Sequence, residues 1–279
     1  MGDSTKVQAQ EKLKKFRPKV GFPNEWKDYS NLVISKDDLI GNIKNSTLDR
    51  TIKNREKLGK PIDREEWGMT PQTVNAYYSP LLNEIVFPAG ILQPPFFNME
   101  ADDAVNYGAI GAVIGHEMGH GFDDKGSKYD GNGELRNWWT ESDRKQFEER
   151  TKKLIDQYNG YTVVDGTPVN GEFTQGENIG DLAGIVIAYK AYQLSKNGSK
   201  APIIDGLTGD QRFFFGWATI WGSKSTDEQL IRQIKTDPHS PGEFRANGPL
   251  VSMPEFVNLY NVKPGDGMYI DPNDRVKIW

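Results

Sequence analysis

The order of apolar and polar positions along the chain predicts a domain in which helices predominate. Two apolar runs, residues 73–78 and 83–87, are strand-like, and the Ser-Pro turn between them favours a hairpin or two neighbouring strands. From residue 235 onward we expect loop with one short helix over 253–260. Helical patterning occurs at residues 36–59, 106–122, 141–158, 174–194, 210–222 and 227–234. These elements predict a single helix-rich α+β domain.

The N-terminal composition, the net charge and the length of the apolar runs limit the class of protein to which the chain can belong. Residues 1–15 are polar and charged, and we interpret them as an N-terminal segment that is not native to the domain of residues 16–279. The net charge of −5 argues against a nucleic-acid partner or an anionic membrane surface. No apolar run approaches the roughly 20 residues that span a bilayer. We therefore expect a soluble domain, and the compartment stays open between bacterial cytoplasm and export.

The content of cysteine and histidine restricts the possible chemistry. The chain has no cysteine, which excludes disulfides, thiolate metal ligands and cysteine nucleophiles. Any zinc ion must therefore be held by histidine, aspartate, glutamate and water. The chain has only three histidines, His116, His120 and His239. Their positions are therefore informative.

Residues 116–120 form an HExxH motif on the most apolar predicted helix. Residues four apart share a helix face, so His116 and His120 point to one place and can both bind zinc. Glu117 lies roughly 100° around the helix. It suits the role of a general base beside a metal-bound water better than that of a third ligand. A chance match on a solvated helix is the alternative, and the apolar flanks argue against it because buried imidazoles need partners.

Three carboxylates could complete the site. Glu177, about 60 residues downstream, begins another predicted helix and would complete a two-histidine, one-glutamate zinc site that leaves one position for water. Asp181 shares the helix face of Glu177 and can accept the free ring N–H of a zinc-bound histidine. Asp123, one turn after His120, can do the same. Taken alone, the Glu177–Asp181 pair is more often a solvated helix face.

The third histidine lies in a segment with two prolines and a glycine, which indicates a loop. His239 could stabilise an oxyanion there, and Arg245 could bind a substrate carbonyl or carboxylate. A surface histidine and a surface salt bridge are equally good interpretations. Residues 130–134 (DGNGE) resemble a calcium loop only weakly, because the spacing lacks the glycine and the distal glutamate of an EF-hand, and a polar turn is favoured.

Several further motifs occur in a fixed order and carry a resemblance to a known family. They are Asn75 to Tyr78, Ile85 to Phe97, Val113 to Glu117, Gly121 to Asp124, Trp138 to Thr140, Glu177 to Ile179 with Asp181, and Thr236 to Pro241. From about residue 16 to 279, the chain resembles the neprilysin-like (M13) zinc metallopeptidases, which include bacterial PepO-type oligopeptidases. The resemblance implies a thermolysin-like zincin catalytic domain with one Zn²⁺ per chain.

The resemblance also implies a role for individual residues. His116, His120 and Glu177 correspond to the zinc ligands, Glu117 to the base, Asp123 and Asp181 to the carboxylates that orient the histidines, and His239 to the oxyanion stabiliser. Arg245 corresponds to the residue that holds a substrate carbonyl, and Asn75 and Ala76 to the edge-strand pair that binds the peptide backbone. Apolar positions expected around the S1′ pocket, or in ordinary core packing, are Ile91, Phe96, Val113 and Trp221.

These inferences favour an endopeptidase that cleaves short peptides before an apolar P1′ residue. The family's helical N-terminal capping region is absent from the chain. The alternative is therefore a zinc-binding but inactive half that needs a separate N-terminal partner or that self-associates through an exposed apolar patch. The chain lacks the cysteine that accompanies the terminal tryptophan in animal members. That absence favours a bacterial source.

Overall fold

The computed structural model describes residues 1–279 and confirms a mainly helical α+β domain. Three short strands form one sheet: β1 (Arg17–Gly21), β2 (Tyr77–Ser79) and β3 (Glu84–Pro88). The helices are α1 (Asp3–Lys14), α2 (Leu39–Glu56), α3 (Asp103–Asn106), α4 (Ala112–His120), α5 (Glu141–Asn159), α6 (Gln175–Ser195), α7 (Gly209–Ile220), α8 (Asp227–Thr236), α9 (Gly242–Asn247) and α10 (Pro254–Leu259). None of the helices combines the length and apolar character that crossing a bilayer requires.

The sheet has the strand order β1-β3-β2, so β3 is central and β2 is an edge strand. All five residues of β3 are buried, as its apolar run predicts. The expected hairpin of β2 and β3 forms, with Tyr77 opposite Val86. Its turn ends at Asn83, whose φ of 50° is left-handed and is tolerated by asparagine. The hairpin therefore presents β2 as a free edge next to α4.

A continuous helical stretch runs from residue 103 to 120 through α3, a π-helical turn at Tyr107–Gly111, and α4. Helices α4 and α6 cross at glycines that lie four residues apart on each helix. A Cβ on Gly115 would lie 2.7 Å from the Gly184 carbonyl oxygen, and one on Gly119 would lie 3.3 Å from the Gly180 Cα. With no side chains between them, the two backbones touch. This contact brings the motifs on α4 and α6 to the same place.

Two apolar clusters surround this crossing. The larger one joins the sheet, α4, α6 and α7, with Phe213 and Trp217 fully buried. The smaller one packs α5 and α6 against the C-terminal residues Val276 and Ile278. Trp279 stacks on Phe147 with the ring centroids 5.4 Å apart. The C-terminus thus contributes to the support of α6.

Residues 1–15, which we expected to lie outside the domain, form α1 and pack on the domain. Thr5 and Lys12 of this helix are 0% and 1% exposed. By contrast, the expected surface helix α2 has no buried residue. Its apolar side chains, among them Leu39 at 71% and Ile40 at 61%, are exposed to solvent.

Three details differ from the sequence-based expectations. Strand β1 was not predicted, and it pairs in parallel with β3. The segment expected as loop after residue 235 contains the short helix α9, which carries Arg245. Asn75 and Ala76 lie directly before the edge strand β2 rather than inside it, because ladder pairing with β3 begins only at Tyr77.

Candidate active site

Two helices bring three potential metal ligands together. His116 and His120 lie one turn apart on α4, and Glu177 lies in the first turn of α6. The Glu177 Oε2 atom is 3.2 Å from His116 Nε2 and 3.6 Å from His120 Nε2. One ligand atom from each of the three residues falls within 4.8 Å of the others. The predicted trio is therefore one cluster in the folded chain.

The inner nitrogens of both histidines are held by carboxylates. His116 Nδ1 donates to Asp181 Oδ1 at 2.8 Å, and His120 Nδ1 donates to Asp123 Oδ2 at 2.8 Å. A carboxylate only accepts, so these contacts place the ring proton of each neutral imidazole on Nδ1. Both Nε2 lone pairs then face Glu177. This is the arrangement that usually orients histidines toward a metal ion.

The trio fits a divalent cation such as zinc. Glu177 Oε2 is buried and has no hydrogen-bond donor of good geometry, although three imidazole nitrogens, those of His116, His120 and His239, lie within 3.6 Å of it. Ligand atoms bound at 2.0–2.2 Å around a tetrahedral ion are roughly 3.3 Å apart. The separations of 3.2 and 3.6 Å match this spacing. A cation between these atoms would remove the repulsion between facing lone pairs.

The electrostatics favour negative charge on α6. Burial raises the pKa of Glu177, but His116, His120 and His239, when their rings are protonated, outweigh it and hold the pKa well below its usual range. Burial likewise raises the pKa of Asp181, and the Arg245 guanidinium outweighs that effect and lowers it. Both carboxylates are therefore ionised at neutral pH, as cation binding requires.

Glu117 follows His116 on α4 and is 5% exposed. Its Oε2 atom is buried without a hydrogen-bond partner, although the residue lines the open cleft over the metal-binding trio. Burial raises the pKa of Glu117. A carboxylate of this kind is a better proton acceptor than an exposed glutamate.

His239 joins the trio from the loop between α8 and α9. Its Nε2 atom lies 3.1 Å from Glu177 Oε2, and its Nδ1 donates to Asp237 Oδ1 at 2.6 Å. The loop is fastened to α6 because Ser240 Oγ donates to Asn178 Oδ1 at 2.8 Å, and both residues are buried. The third histidine is therefore held beside the metal-binding trio while its ring remains 42% exposed.

Arg245 lies on α9 and is 9% exposed. Its Nε and Nη2 atoms donate to the two Asp181 oxygens at 2.8 and 2.7 Å. Its guanidinium also stacks 3.9 Å from the ring centroid of Trp221. Arg245 thus reaches His116 through Asp181, and it also lines the cleft.

A cleft of about 620 Å³ opens over these groups. All of the sequence-predicted site residues line it except Asp123, which lies behind His120. The lining includes Asn75, Ala76, Ile91, Phe96, Val113, His116, Glu117, His120, Glu177, Asp181, Trp221, His239 and Arg245. One wall is apolar, and Ile91 at 2% and Val113 at 9% exposure belong to the main core as well. The two interpretations of these positions therefore overlap.

Sequence reasoning missed the residues that support the site. Asn178, Ser240 and Asp237 anchor the His239 loop, and Met69, Val74 and Trp217 add to the cleft lining. The glycines of the α4–α6 crossing were also missed. Their pairing four residues apart on both motif helices was a readable signal, because such glycines form a bare stripe on a helix.

A helix bearing HExxH, a second helix bearing the carboxylate that completes the trio and a small sheet with a free edge define a zincin-like domain. The model of the family described as peptidase family M13 matches residues 75–276. The chain belongs to this family.

Similar proteins come from animals and bacteria. Neprilysin-3 of Drosophila melanogaster is 39% identical over 286 aligned positions, and human endothelin-converting enzyme 1 is 40% identical over 294. The alignments include 99% and 100% of this chain, but only 36% and 37% of those proteins. The chain therefore spans slightly more than a third of the length of these relatives.

Solved structures agree with the fold. The zinc metalloprotease Zmp1 of Mycobacterium tuberculosis, solved with an inhibitor, has a TM-score of 0.98 and 55% identity. PepO from Lactobacillus rhamnosis has a TM-score of 0.90 and 36% identity. Each comparison covers 100% of this chain and 43% of the other. The zincin-like fold is thus shown over the whole chain, α1 included.

Proposed function

We propose that this chain is the catalytic domain of a zinc-dependent endopeptidase that hydrolyses short peptides. One observation carries the proposal: Glu177 Oε2 meets the Nε2 atoms of His116 and His120 while carboxylates hold both Nδ1 atoms. Zinc bound there supplies Lewis acidity, which polarises a peptide carbonyl and makes water a stronger acid.

Glu117 is the proposed general base. Glu117 lines the cleft beside the trio, where its carboxyl group can accept a proton from the attacking water. The same carboxyl group can then pass the proton to the leaving amine. The raised pKa of Glu117 favours the first of these transfers, because a stronger base accepts the proton of the water more readily.

His239 and Arg245 are the proposed donors to substrate. His239 Nδ1 donates to Asp237, so Nε2 carries a proton when the ring is an imidazolium, a form that Glu177 and Asp237 favour by raising the pKa of His239. Nε2 points toward the trio, and its N–H can then stabilise the oxyanion that forms at the scissile carbonyl. Two of the Arg245 nitrogens are engaged with Asp181, and the remaining N–H groups can donate to a substrate carbonyl. The Asp181 contact also keeps the guanidinium in a single orientation.

Substrate backbone is proposed to bind along the free edge of β2. Asn75 and Ala76 precede the strand and line the cleft, so an extended peptide can pair beside them and cross the metal site. The apolar wall formed by Phe96, Val113 and Trp221 adjoins the trio, which favours an apolar side chain at P1′. The domain would thus recognise the extended backbone of a peptide substrate and one apolar side chain, that of the P1′ residue.

The substitution Glu117→Gln tests the proposal because it removes the base and keeps the shape. We expect the rate of hydrolysis of a quenched fluorescent peptide to fall by about 10²–10⁴-fold while one zinc per chain is retained. Glu149→Gln, at an exposed position on α5, is the matched control and should leave the rate unchanged. Full activity of the Glu117 variant with zinc bound would exclude this mechanism.

A second candidate function is a zinc-binding half that is inactive until a separate partner binds it. Helix α2 favours this candidate, because eighteen residues with no buried side chain leave several apolar groups in solvent. The two candidates differ in a simple assay. Peptide cleavage by the purified chain that a chelator abolishes supports the endopeptidase, whereas zinc binding without cleavage supports the inactive half.

A further inference from the structure

Lys12 on α1 is a buried cation with an unusual set of partners. The side chain is 1% exposed, and Nζ donates to the carbonyl oxygens of Gly121, Gly126 and Tyr129 at 2.6, 2.8 and 2.8 Å. An ammonium group has three N–H donors, so all are used. No carboxylate lies within salt-bridge distance of Nζ. The lysine is therefore bound to backbone of a single loop.

The surroundings show that the charge is retained rather than avoided. Three aromatic rings face Nζ, those of Phe122, Tyr78 and Trp138, with centroids at 5.5, 5.7 and 6.0 Å. Burial lowers the pKa of Lys12 to about 8, so the amine is still protonated at neutral pH. A buried charge is costly, and an apolar side chain would fill this space more cheaply. The three backbone carbonyls that bind Nζ explain why a lysine, rather than an apolar residue, occupies this position.

The loop to which Lys12 donates its hydrogen bonds, residues 121–129, begins directly after His120 and contains Asp123. One Asp123 oxygen accepts from His120 Nδ1, and the other accepts from the backbone N–H groups of Lys125 and Gly126 at 2.8 and 2.7 Å. Gly126 therefore gives its N–H to Asp123 and its carbonyl to Lys12. A chain of hydrogen bonds thus runs from α1 to an imidazole of the metal-binding trio.

Lys12 also connects this loop to the sheet. Its backbone carbonyl accepts from Asn83 Nδ2 at 3.0 Å, and the Asn83 Oδ1 atom accepts from the Tyr78 hydroxyl at 2.9 Å. Tyr78 belongs to the edge strand β2. The same residue therefore joins the first helix, the edge strand beside the cleft and the loop behind His120.

We propose that Lys12 is a positioning residue for metal binding, which holds the 121–129 loop so that Asp123 orients His120. The inference rests on the proposed role of His120 as a zinc ligand. It makes residues 1–15 a working part of the site rather than an addition to the domain. Carboxylates that orient metal-bound histidines change metal affinity by about 10–100-fold. Lys12 acts one step further out, so the lower end of that range, about 10-fold, is expected.

The test compares Lys12→Met with Thr5→Val in the full chain. Thr5 is a matched control, because it is also buried on α1 but donates to Asp143 of α5 rather than to the 121–129 loop. Zinc dissociation constants are measured by competition with a chromophoric chelator, and melting temperatures are measured on metal-free protein. We expect both variants to melt earlier, but only Lys12→Met to bind zinc about 10-fold more weakly.

Two further measurements separate positioning from general support. In ¹⁵N NMR spectra of metal-free protein, the His120 Nδ1 proton should be protected in wild type and in Thr5→Val, and exchange faster in Lys12→Met. In an Asp123→Asn background, the lysine substitution should add little to the loss of zinc affinity, because both act through one contact. If Lys12→Met does not fold, Lys12→Gln, which keeps two N–H donors, should show a smaller loss of affinity.

Equal zinc affinity and equal His120 proton exchange in Lys12→Met, Thr5→Val and wild type would overturn the proposal. Additive losses in the Asp123→Asn background would do so as well. Failure of the proposed function gives a different result, since wild type would then bind no zinc at this trio or cleave no peptide.

Discussion

Asp181 contacts both His116 and Arg245, and its substitution by asparagine tests the importance of the two contacts. The residue is fully buried, orients His116 through Oδ1 and neutralises Arg245 through both oxygens. Asparagine has the same shape but no charge. The guanidinium of Arg245, which is 9% exposed, would then remain in the interior without an anionic partner.

The magnitude follows from these contacts. Breaking a buried ion pair from one side costs about 3–5 kcal/mol, and the lower end applies because asparagine can still accept one hydrogen bond. For a domain of this size, about 3 kcal/mol lowers the melting temperature by roughly 6–12 °C. Loss of the carboxylate behind His116 should weaken zinc binding by about 10–100-fold.

Asp123→Asn is the matched variant. Asp123 orients His120 in the same way but pairs with backbone N–H groups rather than with an arginine. We therefore expect a similar loss of zinc affinity with a smaller loss of stability. The assays are calorimetric unfolding of the metal-free proteins and chelator competition for zinc. The reasoning is refuted if Asp181→Asn melts no earlier than Asp123→Asn, or if either variant binds zinc as wild type does.

Two more predictions concern the helix crossing and the cleft. A Cβ on Gly180 would lie 2.8 Å from His116 Nδ1 and Cε1, so Gly180→Ala should displace the imidazole and weaken zinc binding. Overpacking costs about 1–3 kcal/mol, which corresponds to zinc binding that is weaker by roughly 5–150-fold. The control is Gly267→Ala, which has open space around it and should leave zinc binding unchanged. Peptides with leucine or phenylalanine at P1′ should exceed aspartate in kcat/KM by about 10-fold or more, because burying such a side chain contributes about 1.5–3 kcal/mol. Equal kcat/KM values for these peptides would show that the apolar wall does not determine the specificity at P1′.

The residues of the candidate metal site could be predicted because their spacing is local. His116 and His120 share a face of one helix, and Glu177 and Asp181 share a face of another. The local sequence of neither helix indicates that the two faces meet. That outcome depends on bare backbone contact at the α4–α6 crossing, which is a long-range property. The placement of His239 depends in the same way on the bond between Ser240 and Asn178, 62 residues apart.

The elements that sequence analysis missed are those with weak local signals. Residues 17–21 (RPKVG) contain a proline and little alternation, and their parallel partner lies 67 residues downstream. Helix α1 is mostly polar, and nothing in its pattern marks Lys12 as buried. Charged residues are rarely interior, and only the carbonyl oxygens of a distant loop make this one an exception.

The most direct test of the account is a crystal structure of the zinc-soaked chain with anomalous scattering measured at the zinc edge. We predict a single peak, bound by the Nε2 atoms of His116 and His120 and by an oxygen of Glu177, at about 2.0–2.2 Å with one position free of protein. A peak elsewhere, or Glu177 turned away from the two imidazoles with no metal between them, would contradict it.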